Sequence, residues 1–593
     1  MTADWLKALN QEQRRAVTFG DGPLLILAGA GSGKTRALTY RAAYLIKEKG
    51  VDPTRILLVT FTNKAAKEMK IRIKKLLGSE AARMPWTGTF HAFNAQLLRI
   101  EGKEIGVSNN FVIYDEDDSV ATIKRAMKNL EIDTQVYKPR VIKAAISGAK
   151  NELINHLEYN QLIKGNLAEI VGQVYREYQR LLSTYDALDF DDLLLLAVKL
   201  LTNSERVAKK YQDKYLSVLV DEYQDTNRAQ YELTKLLTKK WKNLTAVGDF
   251  SQSIYSWRGA DFRNLNNLKN DFPGLEVVNM EQNYRSTKNI LEAANQVIAK
   301  NTMHPILKLW AESQAGALIK TFEGADEKEE AKFVVKTIQQ FDYQDCAVLY
   351  RTNAQSRTIE EALIKANIPY ILVGGVKFYN RKEIKDCLAY LRLVYNPKDK
   401  VSYERAEKVG KRKLDKFVQL AEEYKDRAVS LTTKELLEAI LLTTDYLSQF
   451  DPKDEEDLSR LENIKELMSV AREYPVLEEF LQSTALVQET DKLKADQKGV
   501  TLMTLHASKG LEFKNVLMIG MEEGLFPHSR SLMDRAELEE ERRLCYVGMT
   551  RAKENLFLTY SRRRLYFGIT ASNAVSRFLG DVDESLVELI HDY

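Results

Sequence analysis

PLLILAGAGSGKT, residues Pro23–Thr35, is an apolar run that drives straight into a glycine-rich turn. The run reads as a buried strand, and beyond the turn Leu38, Ala42, Leu45 and Ile46 recur at helical spacing. Strand, glycine turn and helix together are the setting of a phosphate-binding loop, with Ala28 standing where the strict pattern has its first glycine. Backbone N–H groups along Ala28, Gly29, Ala30, Gly31, Ser32 and Gly33 are expected to face a β-phosphate, helped by the positive end of the helix dipole. Lys34 would reach the β- and γ-phosphates and Thr35 would hold Mg²⁺ through its hydroxyl, with Arg36 completing the nucleotide-binding set. Such a loop implies ATPase or GTPase chemistry and leaves the task open.

A second apolar run, YLSVLVDEYQDTN (Tyr215–Asn227), ends in Asp221 and Glu222. A carboxylate there can organise Mg²⁺ through its water shell, which suits Asp221. Glu222 can orient and deprotonate the water that attacks the γ-phosphorus.

The chain has 593 residues, 44% hydrophobic and 29% charged, which is ordinary for a globular protein and too long for one core. No apolar stretch approaches a membrane span, and MTADWLKALNQEQ carries no signal-peptide pattern, so no membrane partner is expected. Cys346, Cys387 and Cys545 are scattered without ligand spacing, which suggests neither a disulfide frame nor a zinc site and fits a cytoplasmic location. A net charge of +3 places any nucleic-acid binding in a local groove.

The first hundred residues alternate strand and helix: Ile56–Phe61 reads as a buried parallel strand, Asn63–Leu77 as a helix, and TGTFHAF opens another unit. Long charged helical segments then take over before strand character returns. The expected division is a first α/β core over residues 1–112 and 195–274, with a helical insertion at 113–194. A second core follows over 275–386 and 499–593, with VVNM as its opening strand and a helical insertion at 387–498. The basic runs Lys408–Lys416 and Arg562–Arg564 read first as solvated faces.

The strings LNQEQ, AGAGSGKT, VTFTNKAAKEM, VLVDEYQDTN, VGDFSQSIYSWRGAD, EQNYRST, VTLMTLHASKGLEF and YVGMTRAKE stand in fixed order across nearly the whole chain. In that set the chain resembles the superfamily 1 DNA helicases of the UvrD/Rep/PcrA family. The resemblance implies two RecA-like P-loop cores with parallel sheets, each carrying a mainly helical insertion. It also implies ATP and Mg²⁺ as cofactors, with single-stranded and duplex DNA as partners.

Carried onto matching residues, Gln13 resembles the glutamine that reads adenine, its amide offering both a donor and an acceptor. Tyr284 looks like the aromatic on which adenine stacks, and Gln252 like the γ-phosphate sensor. Arg285 and Arg551 look like two arginine fingers from the second core. Glu512 is similar to a residue that contacts the ribose or orders its loop. Phe61, Tyr255 and Trp257 resemble base-stacking residues, and stacking of this kind contributes about 1–3 kcal/mol per base whatever the sequence. Arg258 and Arg351 look like backbone contacts, with Thr62, Asn63, His91 and Asn353 as phosphate or sugar contacts. His506 and Lys509 lie in a family motif, with structural and functional readings both open.

Three departures bear on the expectation. Phe250 and Ser251 stand where relatives usually carry more acid. The second insertion looks short, and KVGKRKLDK occupies the neighbourhood of the family's duplex-gripping glycine hairpin without showing that hairpin. The C-terminal extension with which relatives bind partner proteins is expected to be missing. The leading expectation is a 3′→5′ ATP-dependent DNA helicase of repair or replication. The alternatives are a single-strand translocase that strips bound proteins, and a nucleotide-gated scaffold with slow hydrolysis; intact Lys34, Glu222, Arg285 and Arg551 weigh against the scaffold.

Overall fold

Alternate residues of the first sheet's strands enter two different cores. Leu24, Ile26, Ile56, Leu58, Leu219 and Val247 pack on one side; Leu25, Leu57, Val59, Val218, Val220 and Ala246 pack on the other. A strand buried on both faces must sit in a sheet covered by helices on both sides, which is the habit of parallel sheets. The computed structural model describes residues 4–78, 83–134, 136–423, 431–452, 454–481, 484, 498–566 and 569–590.

The chain forms two units, Met1–Tyr284 with His304–Glu312, and Arg285–Met303 with Ser313–Tyr593. In the first, β1 (Leu24–Ala28), β2 (Ile56–Thr60) and β3 (Trp86–Thr89) precede an inserted pair, β4 (Val112–Tyr114) and β5 (Ala187–Asp189). β6 (Ser217–Val220), β7 (Leu244–Gly248) and β8 (Glu276–Met280) complete a six-stranded sheet of order β3-β2-β6-β7-β1-β8, every pairing parallel. The helix Asn63–Leu77 lies as the periodicity predicts.

VVNM is a correction. Val277–Met280 pair with Leu25–Ala28, so this strand is the edge of the first sheet and not the start of the second. The expected boundaries move as well. The 112/113 division falls within β4, which pairs with β5. The 194/195 division cuts the helix Phe190–Asn203, whose Leu193, Leu194 and Ala197 lie in the first core. The 386/387 division cuts the helix Lys382–Tyr395, whose Ile384, Cys387, Leu388 and Leu391 pack in the insertion's own core with Leu436, Ile440 and Ile464.

The second unit holds β9 (Ile319–Gly324), β10 (Cys346–Tyr350), β11 (Tyr370–Leu372), β12 (Val500–Thr504), β13 (Phe513–Met518) and β14 (Ala552–Ser561). After a hairpin of β15 (Arg564–Tyr566) and β16 (Ile569–Ala571), β17 (Val587–Ile590) closes a seven-stranded parallel sheet of order β11-β12-β10-β13-β14-β9-β17. Arg564 is not solvated: its guanidinium is buried between Glu330 and Glu522, at 2.5 and 2.6 Å. Arg562 does face solvent, paired with Glu323. Among the described residues no helix is long and apolar enough to cross a membrane.

Candidate nucleotide and strand-binding sites

The phosphate loop leaves the carboxyl end of β1, where open parallel sheets carry their ligands. Gly31 and Gly33 take left-handed backbone angles, φ 67° and 88°, that a side chain would oppose. Gly29 has a different reason: a Cβ there would stand 2.2 Å from Cδ2 of Leu309, on the returning segment His304–Glu312. The helix Lys34–Lys47 starts from Gly33 with no side-chain cap, so its first N–H groups keep their capacity for a ligand.

Every carbonyl of the turn is pinned by a residue of the first unit. The Ser32 hydroxyl donates to Gly29 O at 2.8 Å, and the buried Asn283 amide to Ala30 O at 2.7 Å. The backbone N–H of Tyr284 donates to Gly31 O at 3.0 Å, and Gln13 Nε2 to Ser32 O at 2.9 Å. A trans peptide directs its N–H away from its carbonyl, so holding the oxygens on one side turns donors to the other. Gln13 is buried, and its Oε1 also accepts from the Asn10 N–H at 3.3 Å. The Tyr284 ring is 53% exposed, as a stacking platform must be. Arg36 donates to Ala8 O and lies over the Tyr40 ring.

Lys34 Nζ stands 3.3 Å from Ala28 O and 4.0 Å from Asp249 Oδ2. Burial pushes the Asp249 carboxyl above its usual range, against the pull of Lys34. Asp249 Oδ2 also accepts from Gln252 Nε2 at 2.6 Å. Asp221 is buried at the end of β6, its N–H bonded to Val59 O, and Glu222 follows in the left-handed region at φ 50°. Gln224 links the two segments: its Nε2 donates to Glu222 Oε2 at 2.5 Å and its Oε1 accepts from the Asp249 N–H at 3.0 Å. The uncapped helix start, the left-handed glycines and Lys34 fit a polyphosphate, while the Thr35 hydroxyl and Asp221 carboxylate are hard oxygens of the kind Mg²⁺ takes.

In the second unit Arg285 donates through Nε to Glu512 at 2.8 Å and through Nη1 to Thr550 O at 3.1 Å. Glu512 also pairs with Lys553 at 2.6 Å; burial alone would raise its carboxyl, yet the two cations hold it below its usual range. The Arg551 guanidinium is buried, donating to Val547 O, Leu511 O and Thr550 Oγ1.

The aromatics gather on the first unit. Phe61 is half-buried, edge-on to Phe90 at 5.7 Å; Tyr255 and the 45%-exposed Trp257 are edge-on at 6.5 Å. Thr62 caps the helix Asn63–Leu77 by accepting from the Ala65 N–H, and Asn63 is exposed. Burial lowers the His91 imidazole below its usual range, which favours its neutral form. The side chain of Arg258 lies outside the described residues. Arg351 is clasped by Glu541, with Nε 2.8 and 3.1 Å from its two oxygens, so its charge is already matched. Asn353 Nδ2 meets Ser459 Oγ at 3.4 Å.

Three residues that the sequence reading passed over stand out. Asn283 and Gln224 take part through buried amides; both lie within the quoted strings EQNYRST and VLVDEYQDTN, but neither residue's partner is visible in them. Phe190 does leave a signal: it opens its helix outside the buried register, is 48% exposed, and sits edge-on to His91 at 5.6 Å.

The pattern of the UvrD/REP helicase N-terminal domain matches residues 9–273, and that of the UvrD-like helicase C-terminal domain matches 278–438 and 415–563. The chain is 44% identical to the ATP-dependent DNA helicase PcrA of Bacillus subtilis (strain 168), over 99% of its own length and 87% of the relative's. It is 43% identical to the proteins of the same name from Staphylococcus epidermidis (strain ATCC 12228) and Staphylococcus aureus (strain NCTC 8325), over 98% of its length and 87% of theirs.

Proposed function

We infer the function from one premise: the chain belongs to the UvrD/REP helicase family and is an ATP-dependent helicase enzyme. On that premise it is a DNA helicase that moves 3′→5′ along single-stranded DNA and unwinds the duplex ahead, in the cytoplasm and in the service of repair or replication. The observation that supports this best is the convergence of Lys34, Gln252 and Glu222 on one buried pair, Asp249 and Gln224.

Bound ATP supplies the γ-phosphoryl group, with Mg²⁺ to spread its charge. Lys34 and the loop N–H groups hold the phosphates, while Thr35 and Asp221 would hold the metal. Glu222 takes the proton of the attacking water, Gln252 registers the γ-phosphate, and Arg285 and Arg551 neutralise charge as it develops. Gln13 and Tyr284 take the adenine. Both fingers are tethered in their own unit, Arg285 by Glu512 and Arg551 by backbone carbonyls. Release from those tethers is the step at which DNA engagement controls turnover.

Phe61, Tyr255, Trp257 and Phe190 stack bases, with Thr62, Asn63, His91, Arg258 and Asn353 along the backbone. Arg351, already neutralised by Glu541, orders its loop instead of meeting a phosphate. DNA-stimulated ATPase together with unwinding of 3′- and 5′-tailed duplexes tests the reading. Stimulation of at least tenfold with preference for the 3′ tail is expected. Brisk displacement of bound protein with negligible unwinding at every concentration withdraws the helicase label.

A further inference from the structure

Gln224 lies in the turn after β6 and is fully buried, yet it is neither a nucleotide contact nor a strand contact in the reading above. A buried amide keeps its place only when both ends are satisfied. Here Nε2 donates to Glu222 Oε2 at 2.5 Å, with Asp225 Oδ2 further off at 3.5 Å. Oε1 accepts from the Asp249 N–H at 3.0 Å. Glu222 itself occupies a left-handed backbone conformation at φ 50° and ψ 43°, which a non-glycine residue keeps only where neighbours enforce it. The surroundings are shaped for this bridge. A Cβ on Gly248 would stand 2.9 Å from Gln224 Oε1, so the strand end must be bare for the amide to reach Asp249.

We propose that Gln224 is a positioning residue for hydrolysis: it aims the Glu222 carboxylate by holding one oxygen, and fixes that aim to the backbone of the residue that also binds Lys34 and Gln252. No other side-chain type of this shape does both jobs. Glutamate presents no donor when ionised, and methionine presents neither partner. The amide also makes the base and the sensor loop a single rigid part. This rests on the reading of Glu222 as the base, and the experiment separates the two.

Single-turnover ATP hydrolysis on single-stranded DNA is measured for wild type, Gln224→Met, Glu222→Gln and the double variant, with fluorescent-nucleotide affinity and thermal unfolding alongside. Gln224→Met is expected to slow hydrolysis about 10- to 100-fold with nucleotide affinity within about twofold, a loss confined to the chemical step. Because the amide acts through Glu222, the double variant is expected to be no slower than Glu222→Gln alone. Gly248→Ala, whose methyl would crowd the amide while residue 224 stays a glutamine, is expected to reproduce the slow step. An equal fold-loss from Gln224→Met in both backgrounds, or wild-type rates in both Gln224→Met and Gly248→Ala, overturns the proposal while leaving Glu222 in place. Wild-type turnover in Glu222→Gln overturns the base assignment and this inference together.

Discussion

Lys34 and Asp249 face each other across the phosphate loop, Nζ 4.0 Å from Oδ2, with the carboxylate almost wholly buried. On the proposed reading this ammonium is the one that meets the γ-phosphate, and the same carboxylate anchors Gln252. Lys34→Ala is expected to abolish turnover, by at least about 10³-fold on the scale of lost phosphate-binding charge. Asp249→Asn keeps the shape and removes the counter-charge, so the lysine loses its parking place and Gln252 its anchor. A fall in turnover larger than the fall in nucleotide affinity is expected; unchanged turnover in Asp249→Asn refutes the shared-anchor role.

Asn283 tests the pinned carbonyls. Its amide is buried and bonded to Ala30 O at 2.7 Å, so Asn283→Ala leaves a buried acceptor without its donor, a cost of about 1–3 kcal/mol. Asn283→Asp is expected to be worse, since it faces one oxygen with another in a buried place. Nucleotide affinity measured by fluorescence titration should fall about tenfold for alanine and further for aspartate. Equal, wild-type affinity in both variants removes Asn283 from the loop's support.

Trp257 and Phe190 expose large rings beside half-buried Tyr255 and His91. If they stack bases, Trp257→Ala and Phe190→Ala each weaken single-strand binding by about 1–3 kcal/mol. The salt dependence of binding should stay as in wild type, because no phosphate contact is lost. Trp257→Ala should also weaken the coupling of ATP use to movement. A changed salt slope with little loss of affinity at low salt contradicts the stacking role.

Much of this was legible in the residues, and for a physical reason. Strands of a doubly covered parallel sheet are continuous apolar runs, so β1, β2, β6 and β10 announce themselves. Which sheet a strand joins is not a local property. Glu276–Met280 reads as a new beginning, yet pairs with β1. The three-residue β4 and β5 carry too few residues to show a pattern, and β17 is broken by Glu588. In the site, the phosphate loop and the acidic pair are local chemistry and could be read. Gln224 and Asn283 are ordinary polar letters until the fold brings Asp249 and Ala30 to them.

If Arg285 and Arg551 are the fingers proposed above, their restraint is testable. Arg285 is held by Glu512, which also holds Lys553, and Arg551 is buried against Val547 and Leu511 carbonyls. Arg551→Ala is expected to slow hydrolysis by about 10³-fold or more while ATP stays bound. Glu512→Gln loosens the tether on Arg285, so hydrolysis without DNA should rise and the stimulation by DNA should shrink. Near-normal hydrolysis in Arg551→Ala, or unaltered stimulation in Glu512→Gln, removes the corresponding role.

Glu466 provides a titration inside the second unit. Its carboxylate accepts from Arg357 Nε at 2.6 Å, but that one buried guanidinium also serves Glu361 and Glu473. Burial, with too little cation to offset it, pushes Glu466 up to about 7. A carboxyl whose folded pKa lies above its unfolded value near 4.3 binds its proton more tightly in the native state. Its stabilising contribution is therefore whole below that unfolded value and is lost as pH rises from there through about 7, by at most roughly 4 kcal/mol. The helix Glu455–Glu473 carries this residue, so its amide protection, corrected for intrinsic exchange, should fall between pH 5 and pH 8. Glu466→Gln keeps an oxygen for Arg357 and cannot titrate, so its protection should be flat over the same interval. Parallel slopes in wild type and variant show that the proton sits elsewhere.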